Sequence, residues 1–382
     1  MLSRIKFSIE ELVNDILDQL PADVWTSTTT TFCDPSIGGG QFVREIERRL
    51  REAGHTDENI KSRVFGFESS ALSMGYALNR YGLVGTYEVC NFLEKEFGKM
   101  KFDVVVGNPP YQKAPSEKRN TSLGGRGLTD LWPEFVSKGV SLVKDNGYLA
   151  LIHPISWRKP NDRNGFWKLL TQDNQMEKLV MLSKKKVQSV FGVGTCVDYY
   201  IVHKKKQYKS TVVVDHEDVI YDLDLSGFDW LPNYAIDEIS EYLGDGTGTK
   251  VLYNTFYHSQ KDNRDIRDKK YKYPVVHLIN GNGLGMRYFD RLQENDTTHF
   301  GVPKVLLNQN ELQYPYNDYK GEYGMGQLTF GIAISSKKEG DEIVAFLNSA
   351  KGKRLIAATK WNTFYTNYEM FRSFKKDWYK CS

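Results

Sequence analysis

Apolar residues recur at helical spacing through Leu12, Val13, Ile16, Leu17 and Leu20, and Pro21 closes the segment, which predicts an amphipathic helix. A β-branched and aromatic stretch, Thr28 to Cys33, then meets the abrupt turn Asp34-Pro35-Ser36-Ile37-Gly38-Gly39-Gly40. From Phe42 to Leu50 the helical period returns, with charges on its other face. The order is strand, glycine-rich turn, helix. Arg63 to Phe67 reads as a short strand closed by Glu68, and Ala71 to Tyr81 as a helix. Lys101 to Gly107 carries Phe102-Asp103-Val104-Val105-Val106, the nearly continuous apolar run of a strand buried on both faces of a parallel sheet. A helix over Leu131 to Val143, a turn at Asp145-Asn146-Gly147 and a buried strand over Tyr148 to His153 complete the pattern. Such alternation predicts an α/β fold with a doubly wound, Rossmann-like, mostly parallel sheet.

Beyond about residue 207 the alternation gives way to short β-like pieces, such as Ser210 to Val214 and Lys250 to Tyr257, broken by glycine and asparagine. Two domains are therefore expected, 1–207 and 208–382, the second of α+β character. Gln112 to Thr129, rich in glycine and basic residues, reads as a long loop directly after the strand over Lys101 to Gly107.

Composition narrows the class. A hydrophobic fraction of 40% with charges of both signs belongs to a globular chain and not a disordered one. No stretch is long and apolar enough to cross a bilayer, and Met1 to Glu10 lacks the features of a signal peptide, so no membrane association and a cytoplasmic location, in a bacterium or a phage-infected host, are expected. Cys33, Cys90, Cys196 and Cys381 form no CxxC or Cys/His cluster, which argues against structural zinc and a disulfide framework; no metal is expected. The net charge of +3 says little until its distribution is known.

The turn Asp34 to Gly40 lies where the first strand of an open α/β sheet hands over to its helix, the place where such sheets bind nucleotide-like ligands. Glycine is also a plain way to turn a corner, but here it would let the backbone approach a ligand, and Glu68 at the end of the second strand could accept hydrogen bonds from a ribose. The turn lacks GxGxxG, and no GK[ST] follows, which leaves a small adenosine-containing cofactor.

Asn108-Pro109-Pro110-Tyr111 follows the buried strand and is the most specific signal in the chain. An exocyclic amine on a nucleobase is a poor nucleophile because its lone pair is delocalised into the ring. The Asn108 side-chain oxygen and the Pro109 carbonyl could accept both amine hydrogens and favour a pyramidal nitrogen, which stabilises the attack geometry over the planar ground state. Pro-Pro fixes that carbonyl, and Tyr111 could stack on an extruded base.

With these motifs in this order, the chain resembles the DNA amino-methyltransferases, specifically the N6-adenine enzymes whose cofactor motifs precede the catalytic tetrapeptide and whose target-recognition domain is C-terminal. The resemblance covers roughly residues 5 to 206 and implies S-adenosyl-L-methionine as cofactor and double-stranded DNA as substrate. It implies that Phe7, within Lys6-Phe7-Ser8, lines the methionine end of the cofactor together with Asp34, Ser36, Gly38 and Gly40, that Glu68 binds the ribose, and that Asn108 also touches the cofactor. Asn91-Phe92 stands at the family's Asp-Phe position, Asn91 bonding the adenine amine and Phe92 packing on its ring; an amide replaces the usual acid. Phe191 aligns with an aromatic that stacks on the far face of the flipped base. His153 is read as a satisfied core residue, since a methylated amine loses its proton without a dedicated base.

Lys184, Lys185 and Lys186 are candidates for DNA contact and Lys204-Lys205-Lys206 is a second such run, although three adjacent lysines are most often a solvated surface; the better case is Lys351 to Ser382. That last segment sets eight basic residues against two acidic ones and interleaves them with eight aromatics, including Trp361, Phe364, Tyr365 and Tyr368, with Lys360, Trp361 and Arg372 singled out. The same aromatics could equally be the core of a small domain. Glutamine in a protein or a base in RNA would suit the same tetrapeptide, and an inactive DNA-recognition subunit is a reading of another class. A separate restriction endonuclease, and a monomer or homodimer, belong to the same expectation.

Overall fold

The computed structural model describes residues 8–113, 130–161, 164–206, 209–245, 248–258, 260, 262–310, 313–361 and 365–381. Phe7, Phe364 and most of the expected loop, 114–129, lie outside them. The chain divides into two compact units, Met1–Trp157 with Asp162–Asp229, and Arg158–Asn161 with Trp230–Ser382.

The first unit is built on nine strands: β1 (Phe32–Asp34), β2 (Val64–Glu68), β3 (Thr86–Val89), β4 (Phe102–Gly107), β5 (Val143–Pro154), β6 (Gln175–Leu182), β7 (Val197–His203), β8 (Thr211–Val214) and β9 (Ile220–Leu223). Their order is β3-β2-β1-β4-β5-β7-β6-β8-β9. β3 through β5 run parallel, β7 is antiparallel to β5 and β6, β8 is parallel to β6, and β9 is antiparallel to β8. The α/β sheet read from the hydrophobic pattern is thus present, with the helix Ala71–Tyr81 at the residues the periodicity marks.

Order reverses at β1: the chain runs outward through β2 and β3, then returns to place β4 on the other side of β1. Asp103 holds that pair together, its Oδ2 accepting from Thr31 N–H at 2.8 Å, Thr31 Oγ1 at 2.7 Å and Lys144 Nζ at 2.7 Å. Val104, Val105 and Val106 are fully buried, as their unbroken apolar run requires.

The boundary expected at 207 lies instead at 229/230. Thr211 to Val214 and Ile220 to Leu223 look like fragments of a second domain, yet β8 pairs in register with β6, Lys178↔Val212 to Val180↔Val214, and so extends the first sheet. Pairing partners more than thirty residues apart leave no local trace.

The second unit is α+β. One sheet orders β10 (Val251–Leu252), β17 (Thr329–Ala333), β14 (Lys304–Asn308) and β15 (Tyr316–Asp318) as β10-β17-β14-β15. The other orders β11 (Asn263–Arg264), β13 (Gly283–Phe289), β12 (Tyr273–Asn280) and β16 (Gly324–Met325) as β11-β13-β12-β16. The helices Ile236–Ser240, Lys337–Asn348 and Ala350–Ala358 accompany the two sheets.

A buried ion pair, Lys304 Nζ to Asp318 Oδ2 at 3.1 Å, ties β14 to β15, and the same ammonium donates to the His299 and Val302 carbonyls. Removing one partner strands a charge in a dry interior. Asp318→Ala is expected to destabilise the protein by about 3–5 kcal/mol in urea unfolding, and Lys304→Met with Asp318→Leu to recover most of that loss.

Candidate active site at the carboxyl edge of the sheet

Every strand of the parallel run ends at one edge, and the candidate residues of the first unit gather there. Asp34 is the last residue of β1, Glu68 the last of β2, Asn91 follows β3, and Asn108 follows β4. Neighbouring strands lie about 4.8 Å apart, so Glu68, Asp34 and Asn108 stand side by side within roughly 10 Å. The crevice between β1 and β4 is the switch point, where open α/β sheets receive ligands.

The glycine turn is held by the acids beside it. Glu68 Oε2 accepts from Gly38 N–H at 2.9 Å and its Oε1 from Ser70 N–H at 2.9 Å, while Asp34 Oδ1 accepts from Ser36 N–H at 2.9 Å. Gly40, at φ +86°, sits in the left-handed region, and a Cβ there would come within 3.0 Å of Ala77 Cβ. Gly107 has a similar reason on β4, since a Cβ would fall 2.8 Å from Asp34 Oδ1.

Asp34 is 1% exposed, and burial, with Glu68 nearby, pushes its carboxyl up to about 7 despite the Ser36 hydrogen bond. Neither Asp34 nor Glu68 makes an ion pair among the described residues. Two buried carboxyls stand beside a bare glycine backbone, with Ser69 Oγ donating to Glu68 Oε1 at 3.3 Å, and neither has a cation opposite it among the described residues, which an amino-acid ammonium would supply.

Asn91 Oδ1 accepts from Leu93 N–H at 3.1 Å, an Asx turn that caps the loop after β3. Phe92 is 3% exposed, stacked on Phe135 with centroids 5.7 Å apart and packed against Phe67 and Phe97. The ring expected to lie along a ligand's adenine is therefore enclosed by other rings, and Lys138 Nζ pins the same loop through the Leu93 and Lys95 carbonyls at 2.8 and 2.7 Å.

On β4's end, Pro109 is buried and Asn108 half-buried. Tyr111 Oη donates to Asn108 Oδ1 at 2.8 Å, so the amide oxygen assigned to an incoming amine already has a donor. Leu131 N–H donates to the Tyr111 carbonyl at 2.8 Å, and Gln112 and Asp130 form an antiparallel bridge. Any donor directed at the Asn108 oxygen would compete with this phenol for it. On the expectation that Tyr111 stacks on a substrate base, Tyr111→Phe, which keeps the ring and removes the competitor, should leave turnover within about threefold, whereas Tyr111→Ala should lose about ten- to hundredfold in kcat/KM, since such stacking is worth roughly 1–3 kcal/mol. Steady-state assays on both variants check this.

His153 is fully buried, with Nε2 2.9 Å from Tyr200 Oη and its ring stacked on Trp132, as a core histidine should be. Phe191, last residue of the helix Lys184–Phe191, is half-buried and packs on the same hydrophobic cluster as Tyr111. That helix follows β6, which is parallel to β5, so it stands at the same edge. Lys184 and Lys185 are exposed there, while Lys186 is paired with Asp218.

In the second unit the expectation for Trp361 is overturned. It is 5% exposed, donates Nε1–H to the Leu231 carbonyl at 2.9 Å and meets Trp230 edge-on; Phe371, Phe374 and Trp378 are likewise buried. These aromatics are core, because a small unit needs them to exclude water. Lys360 is half-buried and its carbonyl accepts from Asn233 Nδ2 at 2.9 Å, and Arg372 is exposed and paired with Glu369 at 3.1 Å.

Residues 50–188 match the family model described as Eco57I restriction-modification methylase, a span that includes Glu68, Asn91, Phe92 and Asn108 to Tyr111. The family resemblance read from the motifs therefore holds over this span. An uncharacterized adenine-specific methylase of Mycoplasma pneumoniae is 39% identical over 67 residues, 18% of this chain and 14% of that protein. Modification methylase CviBIII of Paramecium bursaria Chlorella virus NC1A is 31% identical over 122 residues, 32% of this chain and 30% of that protein. The chain thus aligns with under a third of either relative's length. Among solved structures, the type IIL restriction-modification enzyme MmeI in complex with DNA superposes with a TM-score of 0.52 over 97% of this chain and 64% of that one, at 13% identity, a likeness of fold.

Proposed function

We propose that the chain transfers a methyl group from S-adenosyl-L-methionine to N6 of an adenine extruded from duplex DNA, the first unit carrying the chemistry and the second recognising the target. The observation that carries this reading is the placement of Asn108-Pro109-Pro110-Tyr111 at the end of β4, one strand from the buried Asp34 and two from Glu68.

The cofactor would supply an electrophilic methyl; its ammonium suits Asp34 and its ribose the free lone pairs of Glu68, with Ser36, Gly38 and Gly40 lining the methionine end. Asn108 Oδ1 and the Pro109 carbonyl accept the two hydrogens of N6, holding the nitrogen pyramidal for in-line displacement. Tyr111, released from Asn108, lies along one face of the base, and Phe191 lies along the other. The methylated amine gives its surplus proton to water, which leaves no task for His153, already bonded to Tyr200. Lys184 and Lys185 contact phosphates. Among the described residues no helix is long and apolar enough to cross a membrane. A partner endonuclease and a monomeric or homodimeric state complete the proposal.

Incubation with isotope-labelled S-adenosylmethionine and unmodified duplex DNA, followed by nucleoside analysis, is expected to place label on N6-methyladenine. Label on cytosine N4, RNA or protein glutamine, or no transfer at all, overturns the reading.

A further inference from the structure

The second unit carries a polar cavity of about 250 Å³ on one face of the sheet β11-β13-β12-β16, lined by Gln260, Asn263, His277, Arg287 and Gln327 over a floor of Val275 and Phe289. Four separate stretches of chain meet there. Arg287 on β13 is directly opposite Val275 on β12, and Asn263 on β11 is directly opposite Phe289, two residues along from Arg287. Paired residues point to the same side of a sheet, so Asn263 and Arg287 share the face on which the cavity opens. His277 falls at the break in register between Val276 and Leu278 and has no partner on β13, the kind of bulge that redirects a side chain.

We infer that this face is the surface through which the protein reads base edges in the major groove of its target, an inference that rests on the proposed action on duplex DNA. A two-stranded β-ribbon fits the major groove, and the side chains gathered here are the ones whose geometry matches base edges: guanidinium for the O6 and N7 of guanine, carboxamide for the N6 and N7 of adenine. Arg287 is exposed, and its Nη1 pairs with Asp265 Oδ1 at 2.6 Å, which restrains the guanidinium while leaving donors for a base. Gly326 keeps the cavity open beside His277, since a Cβ there would fall 2.9 Å from the Val276 carbonyl. Arg264 on β11 and Arg267, Lys269, Lys270 and Lys272 before β12 are interleaved with Asp262, Asp265 and Asp268, Arg264 lying near Asp262 and Lys270 near Asp290, which leaves a small surplus of positive charge for phosphates, contacts that fix register without reading sequence.

The test is selection from a pool of random duplexes with the full-length chain, Arg287→Lys, Arg287→Gln and Asn263→Ala, the enriched sequences being read by sequencing and folding checked by thermal unfolding. The wild-type chain should enrich a defined motif. Arg287→Lys keeps the charge and loses the fork, so it should lose preference for guanine at one position by about ten- to hundredfold while non-specific affinity stays within twofold; Asn263→Ala should relax a neighbouring position. Folded variants that enrich the wild-type motif at wild-type stringency, or a wild-type chain that enriches none, overturn the inference. Nucleoside analysis of the same proteins is a separate readout: a retained motif without N6-methyladenine defeats the enzymatic reading alone, and methylation with an unaltered variant motif defeats the base-reading surface alone.

Discussion

Asn108→Ala is expected to lower the single-turnover rate of methyl transfer by about 10²–10³-fold, the cost of losing one preorganised polar group aimed at the transition state, with the Kd for S-adenosylmethionine changed only a few-fold. The asymmetry follows from the division of labour along the sheet edge. Asp34, Glu68 and the glycine turn belong to β1 and β2 and keep their backbone hydrogen bonds without Asn108. The Asn108 oxygen instead ends β4, where its partner in the structure is the Tyr111 hydroxyl. Alanine at 108 leaves the Pro109 carbonyl as one acceptor for two amine hydrogens, so the nitrogen relaxes toward planarity and its lone pair returns to the ring. Tyr111→Phe, by contrast, removes only the competing donor. Labelled-cofactor transfer under single-turnover conditions, with equilibrium dialysis for Kd, separates the two quantities; full activity in Asn108→Ala would sink the mechanism.

Much of this edge is legible in the sequence because its signals are local. Asn108-Pro109-Pro110-Tyr111 and Asp34 to Gly40 each sit within a few residues of a strand end, so the hydrophobic run that predicts the strand also places the motif. What depends on distant pairing is not legible. Thr211 to Val214 reads as part of a second domain until β8 is seen beside β6. Trp361, Phe371 and Trp378 alternate with lysine and arginine as a DNA-facing surface would, yet Trp361 is buried against Trp230 and Leu231, well over a hundred residues away, and Phe371 and Trp378 against each other, Phe330 and Phe346. The polar face of β11-β13-β12-β16 escapes for the same reason: Asn263 and Arg287 become neighbours only through the register of three strands. Phe92 shows a subtler limit, since the motif locates the residue while Phe135, contributed by the helix Trp132–Leu142, decides how much of its ring is free.

Affinity for S-adenosylmethionine is expected to fall as pH drops below about 7, by up to about tenfold for each further unit, and Asp34 is the cause. In the protein without ligand, burial and the neighbouring Glu68 raise this carboxyl to about 7. A carboxyl whose folded pKa lies above its unfolded value of about 3.8 holds its proton more tightly when folded. It therefore lowers stability progressively as pH rises from about 4 to about 7, with no further change above. A bound ammonium favours the ionised form, so binding below pH 7 must expel the proton, and affinity declines with it. Calorimetric titration in two buffers of different ionisation enthalpy should register proton release on binding at pH 6 and almost none at pH 8. Asp34→Asn should abolish that release, weaken binding at pH 8 at least tenfold, and raise the melting temperature of the ligand-free protein at pH 8, because a neutral amide in the same pocket carries no charge to desolvate. A pH-independent Kd between 6 and 8 would show that the Asp34 carboxylate does not meet the cofactor's cation.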